Sequence, residues 1–386
     1  MLMKRSALIA LMLLFTGQFV FSQKTISNSI LKSRLQSKLD SFQLVNKFPG
    51  ITFAAILPNG EKISLATGIS DSVKMTAMKA DHRMLSGSNG KTLFAVVALM
   101  LKEKGLFKLD DKIAAYIGNE PWFNKLPNSN DITIRQLMNH TSGIEEYYQL
   151  GDFMQKIEKN PYKVWSPVET FGYVFNRKPL FVAGTDWGYA DTNYLLLAYI
   201  LEKISGKKMY DMIKNQVIKP YKLVNTEPSI KPKFERLATG YSGKQSPFPF
   251  HGAMVRDGEM VLNPQFEWAG GGFVSNSTDL AFFAKELYYF KGFSEASRQE
   301  MQKGVKAKTG KDHLYGLAMQ IRPSKDFGLG YGHSGWFPGY STDAEYFPDE
   351  DVAMAIQFNT DDRSKLKKST HAYILELMAV IKKGLN

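Results

Sequence analysis

Hydrophobic residues recur at helical spacing early in the chain. Ile30, Leu31, Leu35, Leu39 and Phe42 fall on one side of a 3.6-residue turn, which predicts an amphipathic helix over residues 27–48. The pattern then changes to two strand-like runs, 51–57 and 62–69, separated by Asn59-Gly60, a strong short-range hairpin signal. A second hairpin is predicted from 342–347 and 352–358, joined by Pro348-Asp349-Glu350-Asp351, and 371–383 reads as a closing helix with one apolar face. Between these ends, from Leu106 to Val261, helix-like stretches are broken by Pro and Gly, with few alternating runs. Strands at both ends and helices between them predict an α+β protein. Residues 23–105 and 262–386 would form one mixed domain, and 106–261 a mostly helical domain inserted into it.

The first residues change that picture only at the edge. Lys4 and Arg5 precede an apolar run from Ala7 to Phe15, and Val20-Phe21-Ser22 offers a cleavage site before Gln23. Residues 1–22 therefore read as a cleaved export leader, because this run is well short of the roughly 20 residues that span a bilayer. The expected location is periplasmic or secreted. The chain contains no cysteine, which excludes a lipid anchor after the leader, a disulfide scaffold, a thiolate zinc site and a cysteine nucleophile. Covalent chemistry would have to use Ser, Thr, Lys or a carboxylate.

Lys and Arg number 49 against 37 Asp and Glu, a formal net charge of +12. The excess is dispersed, with clusters at Lys303, Lys306, Lys308 and Lys311 and at Lys365, Lys367 and Lys368, and with little aromatic interleaving. It reads as solubility and attraction to anionic envelope polymers, and no nucleic-acid partner is expected. The histidines show no metal-ligand spacing, so neither a metal nor another cofactor is expected.

The stretch that carries candidate chemistry is Leu85-Ser86-Gly87-Ser88-Asn89-Gly90-Lys91-Thr92, followed by an apolar run, Leu93 to Leu101. That run predicts a buried helix ending near Gly105. Ser88 would sit in its first turn and Lys91 one turn later on the same face. A hydroxyl, free backbone N–H groups and an amine within reach make a workable nucleophile. Ser-x-x-Lys also occurs at Ser29, Ser205 and Ser364, but only Ser88 opens a buried helix, where a lysine needs a reason. Gly90-Lys91-Thr92 also looks like the end of a phosphate-binding loop, but Leu85 stands where that motif needs glycine. Gly-x-Ser-x-Gly fails similarly at Ser86.

Five segments in order resemble the penicillin-recognising serine hydrolases, the family of class C β-lactamases, R61-type D-alanyl-D-alanine carboxypeptidases and related esterases. They are Gly87 to Thr92, Ile134 to Ile144, Gly184 to Tyr194, Gly270 to Ser275, and Gly332-His333-Ser334-Gly335. The resemblance runs from about Ile51 to the C-terminus. It implies a β-lactamase/transpeptidase-like fold: an antiparallel sheet flanked by helices, a mostly helical domain, and the active site in the cleft between them. It further implies Ser88 as acyl-accepting nucleophile, Lys91 as its proton partner and Tyr189 as a proton shuttle, with lysine or tyrosine as the base. Asp191 stands where the family has asparagine. A carboxylate cannot donate as an amide does, and beside Lys91 it would favour the ammonium form, shifting the base role towards Tyr189. Capping the helix that follows is the other reading of Asp191.

For the third box, Lys308-Thr309-Gly310 is the literal family motif but sits among lysines like a solvated turn. His333-Ser334-Gly335 has the better context, and Gly335 and Trp336 follow as substrate-binding positions. The N–H groups of Ser88 and Trp336 would form an oxyanion hole. His140 reads as a loop-holding residue. The expected activity is an exported serine hydrolase working through an acyl-enzyme, carboxypeptidase-like or esterase-like. The expected partner is a small-molecule, peptide or ester substrate, peptidoglycan-derived peptides included, with no stable membrane anchor once the leader is cleaved. The alternatives are a catalytically silent envelope-binding protein on the same fold and a true β-lactamase.

Overall fold

The two hairpins come together in one antiparallel sheet. In the computed structural model, which describes residues 28–385, Gly50–Ile56 pairs with Lys62–Asp71 on one side and Val352–Phe358 on the other. The leader assigned to residues 1–22 lies outside the described residues. Across the nine-stranded sheet the order is Val305–Lys306, Leu314–Tyr315, Gln320–Ser324, Gly328–Phe337, Tyr340–Phe347, Val352–Phe358, Gly50–Ile56, Lys62–Asp71 and Thr76–Ala77. Gly60 takes a φ of +80° in the first hairpin loop, a conformation glycine adopts without penalty.

Both faces of the sheet are covered, which explains why Gly50–Ile56 is buried at every position and shows no alternation. One face carries the terminal helices, Asn28–Asn46 and Thr370–Leu385. Leu31, Leu35, Leu39 and Phe42 pack there with Ile374, Leu377 and Ile381 over Phe53, Met354 and Ile356. Ile30, counted in the predicted apolar face, is 48% exposed, because it points about 100° away from Leu31. On the other face the helix Ser277–Tyr288 lays Ala281 and Ala284 against Ala54, Ala344 and Ala355, small residues that permit close approach.

The main core lies on that second face and surrounds the helix Lys91–Glu103, of which every residue from Lys91 to Leu99 is buried. That helix stops before Gly105, in the left-handed region at φ +73°. In the separate helical region the helices are short, Ile134–Met138 and Pro167–Phe171 being held by capping boxes, while Asp191–Ser205 is long and runs into a left-handed Gly206. The fold is α+β, an antiparallel sheet flanked by helices plus this helical region. Among the described residues no helix is long and apolar enough to cross a membrane.

Candidate active site

Two backbone segments meet at Ser88. The chain leaves the short strand Met84–Leu85, turns at Gly87, and enters a 3-10 turn, Gly87–Gly90, that runs on into Lys91–Glu103. Gly87 has φ +52°, and a Cβ there would lie 2.5 Å from the Trp336 nitrogen and 2.4 Å from its oxygen. A Cβ on Gly335 would lie 1.9 Å from the Ser86 carbonyl oxygen. Only glycines let the nucleophile turn lie flat against the Gly335-Trp336 backbone. Phe337 and Tyr340 flank a two-residue turn, and alternation along the ladder directs the Trp336 N–H away from Tyr340–Phe347, to the side where Gly87 lies.

Lys91 is fully buried and its ammonium has three acceptors. Nζ lies 2.9 Å from Ser88 Oγ and 2.5 Å from Asp191 Oδ1, and it also donates to the Gly270 carbonyl. Asp191 opens the helix Asp191–Ser205, whose N-cap is Ala190, and its side chain makes no capping bond because it is turned to Lys91. Its backbone N–H donates to Glu146 Oε2 at 2.7 Å.

Tyr189 presents its ring to the Lys91 ammonium, 5.0 Å from the centroid. The hydroxyl is buried without a formed hydrogen bond. Burial, then the charge of Asp191, pushes its pKa well above that of an ordinary phenol, while neighbouring Ser88 opposes the shift.

His333 is buried, and the same loss of water, with the Lys91 charge, lowers its pKa to about 3. Its tautomer follows from its partners. Nδ1 donates to the Ser334 carbonyl at 2.5 Å, so Nε2 accepts from the Tyr315 hydroxyl at 2.7 Å. The Tyr315 oxygen in turn accepts from His140 Nε2 at 3.2 Å, and His140 Nδ1 accepts from the Asn193 amide at 3.1 Å. His140 thus ties three segments together. Lys308 lies elsewhere, exposed and paired with Asp186 at 2.6 Å.

Ser88, Lys91, Tyr189, Asp191, His333, Gly335 and Trp336 are therefore brought to one place. Sequence reasoning missed Glu146, Glu267, Tyr315 and Asn193. Burial and the Asp191 charge raise Glu146 well above the usual carboxylate range and push Glu267 up to about 8. Each keeps one carboxyl oxygen without a partner. No spacing rule flags a glutamate whose importance comes from a lysine on another helix. Among the described residues no cluster of His, Asp and Glu is arranged to hold a metal ion.

The family model described as "Beta-lactamase" matches residues 38–379. The chain belongs to the Beta-lactamase family. The family match supports a hydrolase related to penicillin-binding proteins. Penicillin-binding protein 4* of Bacillus subtilis is 26% identical over 320 residues, 81% of this chain and 68% of that protein. Teichoic acid D-alanine hydrolase of Staphylococcus aureus is 24% identical over 71% of this chain and 64% of its own length, so the chain spans about two thirds of these relatives. Among solved structures, a D-stereospecific amidohydrolase from Streptomyces sp. superposes with a TM-score of 0.76 at 26% identity, covering 87% of this chain and 97% of that one. D-amino acid amidase from Ochrobactrum anthropi SV3 gives 0.77 over 92% and 100%, and at 21% identity it speaks for the fold alone. The Beta-lactamase family match and these superpositions agree with an antiparallel sheet flanked by helices.

Proposed function

We propose that the protein is an exported serine hydrolase that cleaves amide or ester carbonyls through an acyl-enzyme on Ser88. The observation that carries this reading is the 2.9 Å contact between Ser88 Oγ and a fully buried Lys91 Nζ. Two of the amine's donors have fixed acceptors in Asp191 and Gly270. Once it has released its third proton, Lys91 keeps both bonds and points its lone pair at the serine proton. Tyr189, kept as a neutral phenol by its surroundings, carries the proton that a leaving group needs. This division moves the base from Tyr189, where the sequence reading leaned, to Lys91.

The substrate carbonyl oxygen sits between the N–H groups of Ser88 and Trp336, each worth about 10²–10³ in rate. Attack by Ser88 Oγ, whose proton passes to Lys91, expels the leaving group with the proton of Tyr189, and Lys91 then passes its extra proton to the Tyr189 oxygen. Water then takes the acyl group as a carboxylic acid and returns a proton to Ser88. Amides and esters of D-amino acids are the substrates nearest to the chemistry named for the relatives. Action outside the cytoplasm, through the leader in residues 1–22, belongs to the same proposal.

Acid-quenched intact-mass spectrometry after seconds with penicillin or a p-nitrophenyl ester should show one acyl adduct mapping to Ser88. Ser88→Ala should form no adduct and lose several orders of magnitude in turnover, with its melting temperature kept. Full turnover by purified Ser88→Ala would sink the mechanism.

A further inference from the structure

Two sets of rings lie around this site, and they differ in kind. Tyr189 belongs to a set laced with hydrogen-bonding groups. Its ring is 4.2 Å from His140 and 6.1–6.2 Å from Trp187, Tyr315 and His333. The other set is an apolar row, Tyr148, Phe248 and Trp336, with 5.9 Å between successive centroids. Phe266 backs it, 5.3 Å behind Phe248, and itself stacks on Phe337 at 5.8 Å. Among the described residues no ring contact joins the two sets.

The row is anchored at both ends to the catalytic segments. Trp336 starts where its own backbone meets Gly87, and its indole N–H donates to Asp361 Oδ2 at 3.0 Å. The other oxygen of Asp361 accepts the Gly243 N–H at 2.7 Å, so the ring is held by a fixed partner. Tyr148 lies two residues beyond Glu146, whose carboxyl holds the Asp191 N–H. The charges of Glu146 and Asp191 reach its hydroxyl and, after burial, are the main causes that raise its pKa. Tyr148 and Trp336 are half-buried and Phe248 is buried, so the ends present ring surface and the middle supports it.

We propose that this row is the acyl-group subsite, and that it makes the enzyme prefer a bulky apolar acyl group over a small acyl group of acetyl or alanyl size. The inference rests on the acyl-enzyme reading. With the carbonyl oxygen between Ser88 and Trp336, the tetrahedral carbon has two remaining substituents. The leaving group must face Tyr189 to receive its proton; the row, which shares no ring contact with the Tyr189 set and begins at the residue whose N–H holds the carbonyl oxygen, is left for the acyl substituent. Rigid aromatic faces bury apolar area with little ordering cost, and a single methylene already separates substrates about 10–200-fold.

The test compares p-nitrophenyl phenylacetate with p-nitrophenyl acetate. The leaving group is common to both, so the ratio of their kcat/KM values reports on the acyl side. In each reaction the Ser88 Oγ–acyl bond forms as the ester C–O bond breaks, p-nitrophenolate departs with the electron pair, and water releases the acid. The wild-type protein should favour phenylacetate by about tenfold or more. Tyr148→Ala should bring the ratio close to one, and a melting temperature near the wild type's shows that the variant is folded. A wild-type ratio near one, or a ratio unmoved by Tyr148→Ala, overturns the subsite. Should neither ester acylate Ser88, the acyl-enzyme reading is what fails. The subsite is then decided by calorimetry on the Ser88→Ala protein, where phenylacetamide should bind at least about tenfold more tightly than acetamide. Equal binding of the two amides overturns it.

Discussion

Lys91 and Arg322 are both buried among carboxylates, and their surroundings are opposite. Arg322 reaches across the Gly328–Phe337 strand, over Gly330, where a Cβ would lie 2.0 Å from Glu345 Oε1. It meets Asp343 in a two-pronged contact of 2.6 and 2.9 Å and Glu345 at 3.1 Å. The carboxylates are closed off in turn by Thr370 at 2.7 Å and His371 at 2.8 Å. Burial opposes the charge on Arg322, but the two carboxylates outweigh it and hold its pKa above the ordinary value. Around Lys91 the accounting stays open. Glu146 Oε1, Glu267 Oε2 and the Tyr189 hydroxyl are buried without partners. A satisfied network rigidifies, whereas a partly satisfied one is costly and is kept where chemistry needs it.

The contrast is broken most severely at Lys91. Lys91→Met should lower kcat by about 10²–10⁴, the usual range for a lost proton acceptor. It should destabilise the fold less than the equivalent change at Arg322, because Asp191 keeps 14% of its side chain exposed and can meet water or take a proton. Steady-state kinetics and thermal melts on the same preparations check both halves. Arg322→Met comes next and should act the other way round. It strands two fully buried carboxylates, at about 3–5 kcal/mol, so the melting temperature falls sharply while turnover well below it is retained. Equal losses of stability in the two variants would erase the distinction between the clusters.

Local pattern carried much of this to the page. Ser88 and Lys91 lie three residues apart on one helical turn, so their meeting could be read from the sequence, as could both hairpins. The Asn-Gly turn and the Pro-Asp-Glu-Asp turn each hold their own register. Arg322 could not be read, because its partners depend on which strands neighbour it and on a glycine between them. Glu146 and Glu267 were missed for the same reason: nothing near them in sequence shows that both face Asp191. The Asp191 side chain itself had two readings, and the three-dimensional pairing with Lys91 decided between them.

Glu267 sharpens the comparison through pH. Its pKa rises on folding, from the ordinary carboxylate range to about 8, so the folded state holds a proton that the unfolded chain releases. Stability attributable to this group is therefore highest at acid pH and falls between about pH 4.5 and 8, by at most about 1.4 kcal/mol per unit. Glu267→Gln keeps the shape and removes the titration. Its melting temperature should decline less steeply over that window than the wild type's, and parallel curves would show that the carboxyl ionises as easily inside as outside.

The smallest effect is expected at Lys308, and it bears on which segment completes the site. Lys308-Thr309-Gly310 has the letters of the family's third box, but its ammonium is 63% exposed and its partner, Asp186, 48%. Exposed pairs of this kind contribute about 0–1 kcal/mol. His333, by contrast, is buried beside Lys91 and bonded to Tyr315. Lys308→Ala should leave kcat/KM within about twofold of wild type, while His333→Ala, which removes the acceptor for Tyr315 and opens a gap in the buried chain, should lower it by about tenfold or more. If the lysine variant suffers the larger loss, the third box belongs to the exposed turn, and the closed histidine–tyrosine chain holds the sheet edge without serving catalysis.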